Sequence, residues 1–281
     1  MRFLSARLSA KRRSPLAGVV VLLLGLLFTG GAYAVLSPAS ASDQQADQAL
    51  VDQGRKLFLV GCASCHGRNG EGVVTQDGNQ YGPSLVGVGA AAVDFQVGTG
   101  RMPMARPGAQ APAKAPVYTE EETRQLAAFV ASLGPGPAIP EEEKYSTADV
   151  ENEAVVRGGE FFRTNCTACH NFAGSGGALP GGKYAPKLRG VTEKHIYEAM
   201  LTGPQQMPVF SDDVIKPDEK RDIIAYLKSL EDTPEAGGFN LGAIGPVTEG
   251  LFAWVVGIGA LVGFAVWIAA HTTRSKKGSK A

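Results

Sequence analysis

At 281 residues, with 27 basic and 27 acidic side chains, the chain is formally neutral and long enough for two ordinary domains. The neutrality conceals a segregation: residues 1–15 and 271–281 are basic without a single acid, so the body between them is acidic, and nothing marks a nucleic-acid partner. All four cysteines belong to two short motifs, which leaves none for a disulfide.

Residues 1–41 comprise the first basic tail and an uncharged run, Leu16 to Leu36. Twenty helical residues cover about 30 Å, the hydrocarbon thickness of a bilayer. The run is read as a membrane anchor, with a cleaved signal peptide as the alternative because Ala39-Ser40-Ala41 is an A-x-A-like site. Residues 42–134 form a first unit. Its helix over Asp47–Val60 leads straight into Cys62-Ala63-Ser64-Cys65-His66, and Thr119 with Glu122 makes a capping box ahead of the apolar face Leu126–Leu133. Residues 135–146 are a linker, which Gly134–Pro140 enters with three prolines that stiffen it.

A second unit spans 147–233. Its helix over Ala148–Thr164, with a capping box at Ser146 and Asp149, leads into Cys166-Thr167-Ala168-Cys169-His170. Pro217 fits the first turn of its last helix, which carries Ile223–Leu230. A juxtamembrane segment, 234–250, precedes a second uncharged run over 251–270 with Trp254 and Trp267 near its ends, then the basic tail 271–281. No stretch alternates with period two, so little sheet is expected and the class is all-α. The excess of basic residues beside both runs places both termini in the cytoplasm and residues 37–250 outside the plasma membrane.

The two units are one pattern written twice. Gly54 and Gly158 each precede a first cysteine by eight residues, and Phe58 answers Phe162. Tyr81-Gly82-Pro83-Ser84-Leu85 answers Tyr184-Ala185-Pro186-Lys187-Leu188, and Met102-Pro103 answers Met207-Pro208. Only the first unit contains the Ala- and Pro-rich loop Gln110–Pro116.

C-x-x-C-H is the attachment signature of c-type haem. Two thiols on one helical turn, Cys62 with Cys65 and Cys166 with Cys169, can each add to a haem vinyl group. The adjacent His66 or His170 then supplies the proximal nitrogen to iron. A structural zinc site would lack its fourth ligand, and a redox dithiol has no use for the histidine. Two covalently bound haems c are therefore expected.

With these motifs in order, each unit resembles a class I cytochrome c domain. The resemblance implies that the carbonyls of Pro83 and Pro186 orient the proximal histidines. It also implies that Gly54 meets Phe129, and Gly158 meets Tyr226, where the first and last helices cross. Methionine sulfur is the expected sixth ligand, as is typical of cytochromes c. Met207 supplies it in the second unit; in the first, the Met-Pro dipeptide selects Met102, favoured because the proline fixes the exit of the ligand loop, with Met104, selected by strict repeat spacing, as the alternative. Met200 is assigned to the core, His195 and His271 are read as bystanders, and Arg101 as a propionate partner or a solvated charge.

The whole layout resembles the diheme cytochrome c subunit of the actinobacterial cytochrome bcc complex. That resemblance implies electron transfer from the Rieske iron–sulfur protein to a haem–copper terminal oxidase, beside a cytochrome b subunit, during menaquinol oxidation. The chain would be enzymatic only as a subunit. The alternatives are an electron acceptor of a periplasmic dehydrogenase or another oxidase, and a diheme peroxidase.

Overall fold

A computed structural model describes residues 15–36, 38–232 and 246–278. The basic residues of the N-terminal tail and most of the juxtamembrane segment lie outside the described residues. Helices α1 (Pro15–Leu36) and α2 (Pro38–Gly61) carry the chain to α3 (Ala63–His66), the first cysteine motif. A short antiparallel hairpin follows, β1 (Val73–Val74) with β2 (Gln80–Gly82), and then α4 (Gly89–Gly98) and α5 (Glu120–Ala131). After the four-residue α6 (Glu142–Tyr145) the order recurs. The second half has α7 (Asn152–Asn165), α8 (Thr167–His170), the hairpin β3 (Gly177–Leu179) with β4 (Lys183–Ala185), α9 (Glu193–Thr202) and α10 (Pro217–Asp232). The described residues are thus helical with two small hairpins, as the lack of period-two alternation predicts.

The capping chemistry explains which helix starts were readable. Thr119 Oγ1 accepts from the Glu122 amide at 3.2 Å, and the Glu122 carboxylate accepts from the Thr119 amide at 2.9 Å, so the first capping box forms. Pro217 occupies the first position of α10. The box expected at Ser146 and Asp149 does not form. Ser146 instead ends α6, its amide donating to the Glu142 carbonyl at 2.8 Å, and α7 begins only at Asn152 behind Glu151. A one-turn helix has captured the serine that would have capped the longer one.

Each half closes around its own apolar cluster. Phe58, Leu126, Phe129 and Val130 are buried in the first, and Phe162, Tyr197, Ile223, Ile224 and Leu227 in the second. The first and last helices of each half cross at a glycine. A Cβ on Gly54 would lie 1.9 Å from the Gln125 carbonyl oxygen and 3.0 Å from Phe129 Cβ. At Gly158 the obstacle is the Asp222 carbonyl oxygen, 1.8 Å away, while the Tyr226 ring lies against Gly159. Lys220, fully buried, is satisfied by the Asp212 carboxylate at 2.5 Å and by the Tyr197 ring face at 5.4 Å.

The halves are docked on each other. Lys194 on α9 pairs with Asp94 on α4 at 2.7 Å, and His195 meets Phe95 edge-on. The loop unique to the first half reaches across as well. Gln110 bonds both backbone groups of Tyr184, at 2.6 and 3.0 Å, and Gln205 returns the same favour to Ala111, at 3.1 and 3.2 Å. The proline-rich segment lies against the first half, the Ala91 amide donating to the Pro137 carbonyl at 3.1 Å.

At the C-terminus, α11 (Pro246–Phe252), a π-helical stretch (Ala253–Ile258) and α12 (Gly259–Gly278) run on as one rod. Within it Thr248–His271 is 24 residues long with mean hydropathy 2.3 and no buried share, enough to cross a membrane. The apolar core of α1, Gly18–Gly30, is shorter. The protein is a helical body with one membrane-spanning helix among the described residues.

Candidate cofactor sites

The helix of each half delivers its cysteine motif at a fixed point. The Cys62 amide donates to the Phe58 carbonyl at 2.8 Å, and the Cys166 amide to the Phe162 carbonyl at 2.9 Å, so the last turn of α2 or α7 fixes the first cysteine. One more turn then places Cys65 with His66, and Cys169 with His170.

The loop after each histidine folds back identically. The Gly72 amide bonds the His66 carbonyl at 2.7 Å, and the Gly176 amide bonds the His170 carbonyl at 2.9 Å. The Leu85 amide bonds Gly70, and Leu188 bonds Gly174, at 2.7 and 2.8 Å. Gly72 and Gly176 hold φ of +85° and +83°, and a Cβ there would press on the amides of Ser84 and Lys187. These bonds carry the proline carbonyls over the imidazoles.

His66 Nδ1 donates to the Pro83 carbonyl at 2.8 Å, and His170 Nδ1 donates to the Pro186 carbonyl at 3.0 Å. A carbonyl only accepts, so Nδ1 carries the proton and Nε2 keeps its lone pair for a metal. Both imidazoles are buried. Burial pushes the His170 pKa down, partly opposed by its bond to Pro186, so the ring is neutral at physiological pH.

In the second half Cys166, Cys169, His170, Pro186 and Met207 line one cavity. Its walls are apolar, from Phe162, Leu188, Ile196, Met200, Ile223 and Leu227. A flat apolar macrocycle with two vinyl groups, one nitrogen ligand and one thioether ligand matches this donor set. In the first half, Met102 packs against the cluster around Phe58 and Leu126, whereas Met104 has its methyl beside Gly108.

None of the four cysteines is in a disulfide. Burial, reinforced by the neighbouring cysteine, pushes Cys62 and Cys166 up to about 11. Redox dithiols work by a depressed pKa, so this environment is the reverse of theirs.

Two residues set aside or left open in the sequence turn out to border the second cavity. Arg101, next to Met102 in the chain, reaches out of its own half, stacks 4.7 Å over Phe95 and lines the cavity of the other. His195 lines the same cavity. Gln110, Ala111 and Ala113 of the unique loop complete the wall, so the first half closes the site of the second. Only the departure of that loop from the repeat could have flagged it.

Comparisons with known proteins place the chain among cytochromes. The family model described as "Cytochrome c" matches residues 51–134, and "Cytochrome C oxidase, cbb3-type, subunit III" matches residues 153–227. A protein of Corynebacterium efficiens named "Cytochrome bc1 complex cytochrome c subunit" is 48% identical over 275 residues, covering 93% of this chain and 91% of its own. Its namesake in Corynebacterium diphtheriae is 46% identical over 95% of this chain and 98% of its own length. That of Mycobacterium bovis is 44% identical over 95% of each.

Proposed function

This chain belongs to the cytochrome c subunits of bc1-type quinol–cytochrome c reductase complexes, and from that premise we propose that it carries two covalent haems c, one in each of two tandem class I cytochrome c domains. The observation that carries the proposal is the single cavity in which Cys166, Cys169, His170 and Met207 converge. Haem bound there supplies a one-electron centre. The chain does the rest. His170 Nε2 and the Met207 sulfur would hold its iron, the Pro186 carbonyl fixes the imidazole, and the apolar wall excludes water. In the first half the matching residues are Cys62, Cys65, His66, Pro83 and Met102. The packing of Met102 against the core supports it over Met104.

In this reading electrons come from the Rieske iron–sulfur protein, with cytochrome b supplying the menaquinol site, and leave to a haem–copper oxidase. The docking of the two halves supports a relay in place, because both sites belong to one body. The membrane-spanning helix supports anchoring at the plasma membrane, with both haem domains on the extracytoplasmic side and both termini inside. A second reading, a subunit of an oxidase itself, draws on the cbb3-type match over 153–227. Co-purification with a cytochrome b chain separates the two.

The direct test is Met207→His, which keeps the second haem bound but lowers its potential, because a nitrogen donor favours ferric iron over thioether. Two unshifted components in a redox titration refute the ligand assignment. Cys62→Ser with Cys65→Ser halves the covalent haem per chain; full retention refutes the first site.

A further inference from the structure

Between the halves, at the edge of the second cavity, sits a group of side chains that electron transfer does not explain. Glu198 on α9 is fully buried, and neither of its carboxylate oxygens has a hydrogen-bond partner. Burying such a group unpaired is costly, and structures tolerate it where something satisfies it. Its Oε2 lies 4.0 Å from His195 Nε2, which lies 3.8 Å from Oδ2 of Asp94, a buried residue of the other half. One oxygen from each acid and the imidazole nitrogen all fall within 4.8 Å of one another.

We propose that Asp94, His195 and Glu198 form a divalent-cation site, suited to Zn2+, that staples the two halves together. The donor set is one imidazole and two carboxylates, which zinc accepts with a water as fourth ligand. Bonds of about 2.0–2.1 Å at tetrahedral angles need donors about 3.3–3.4 Å apart. The two separations from His195, 3.8 and 4.0 Å, close to that by roughly half an ångström of side-chain rotation, and the two carboxylates, within 4.8 Å of each other, draw in with them. The cation would relieve the repulsion between the two buried carboxylates, Asp94 and Glu198.

Two cations face the group, Arg101 beside His195 and Lys194 on Asp94, and the second sharpens the test. Lys194 holds Asp94 at 2.7 Å and occupies the charge the metal would take. Its side chain is one-third exposed, so the ammonium has solvent to withdraw into. Lys194 is therefore the built-in competitor, and removing it strengthens the site without touching a ligand.

The experiment uses the full haem-loaded chain in mild detergent, stripped with chelator and titrated with zinc chloride. Bound zinc per polypeptide is read by elemental analysis and its ligands by zinc-edge absorption spectroscopy. One zinc per chain with one nitrogen and oxygen ligands is expected. His195→Ala and Glu198→Gln weaken that binding at least tenfold, by the loss of a ligand. Lys194→Met tightens it. Zinc uptake that is absent from the native chain, or equal in all four proteins, overturns the proposal. His195 also lines the second cofactor cavity, so haem content and visible spectrum are read on every variant, and Glu198→Gln and Lys194→Met, which lie outside that lining, give the zinc readout independent of it.

Discussion

Replacing Gly158 by alanine tests the helix crossing that frames the second site. The added Cβ would sit 1.8 Å from the Asp222 carbonyl oxygen, 2.3 Å from its carbon and 2.8 Å from the Ile223 amide nitrogen. All three are backbone atoms in the middle of α10, so no rotamer change removes the clash. The helices must part, and the contacts of Phe162, Ile223 and Ile224, each 0–1% exposed, loosen with them. Overpacking of this kind costs typically about 1–3 kcal/mol, and an obstacle made of backbone belongs at the upper end. Alanine returns about 1 kcal/mol through its better helix propensity. The net loss of about 2 kcal/mol lowers Tm by roughly 4–8 °C for a chain of this size.

The assay is thermal unfolding of the full chain by far-ultraviolet circular dichroism, with haem absorbance read alongside. Because α7 leads directly into Cys166, covalent haem in the second half should fall together with Tm. Gly159→Ala is the control. There the neighbours are the Arg163 guanidinium and the Tyr226 ring edge, both at 3.1 Å, and side chains can give way. A Gly158→Ala protein as stable as the parent would show that the helices slide freely and that the crossing does not constrain the site.

Glu198 gives a pH signature in metal-free protein. Burial first, then repulsion from Asp94, raise its pKa from 4.5 to about 9, so the folded state keeps a proton the unfolded chain releases. The contribution of Glu198 to stability is therefore fully present below pH 4.5 and is lost as pH rises toward 9, with a limiting slope of about 1.4 kcal/mol per pH unit; Glu198→Gln should flatten chemical-denaturation midpoints across that window. Arg101 gives a redox signature. It places a half-buried cation on the wall of the second cavity, so Arg101→Met should lower the potential of the second component by tens of millivolts, on the order expected for one charge at low dielectric. A shift confined to the first component would return Arg101 to its own half.

What the sequence made legible was local. Two cysteines and a histidine on one turn, a threonine three residues before a glutamate, a proline at a helix start and a repeated glycine each act within a few residues. So does the loop that brings Pro83 or Pro186 over its histidine, though its direction came from family resemblance and not from spacing. Helix α4 escaped notice because Gly-Ala-Ala-Ala-Val-Asp-Phe-Gln-Val-Gly has glycine at both ends and no polar face for a period to show. It is buried on one side by its own half and on the other by α9. The burial of Lys220 and Glu198, and the roles of His195 and Arg101, depend on which halves meet, and nothing in a linear pattern records that. Ser146 failed for the opposite reason. The local signal was present, but two competing helices wanted the same residue.

Docking also changes what holds the two sites at their spacing. Three prolines between the halves read as a stiff spacer, yet the segment lies along Gly87–Ala91 and Ile139 packs into the first cluster, so it is part of one half rather than a strut between two. The restraint is the interface, above all the reciprocal pairing of Gln110 with Tyr184 and of Gln205 with Ala111. Gln205→Ala strands the amide and carbonyl of the buried Ala111, at a cost of about 1–3 kcal/mol. Pro135→Ala with Pro137→Ala removes no such bond, because the Pro137 contact is made by its carbonyl. Lys114 sits in the clamped loop with its side chain exposed, which makes trypsin cleavage there a gauge of opening. The Gln205 variant should be cut at least about fivefold faster than the parent, the factor that 1 kcal/mol allows, while the double proline variant should match the parent. If the proline variant were cut faster and the glutamine variant were not, the linker would be setting the geometry after all, and the two sites would be tethered rather than locked.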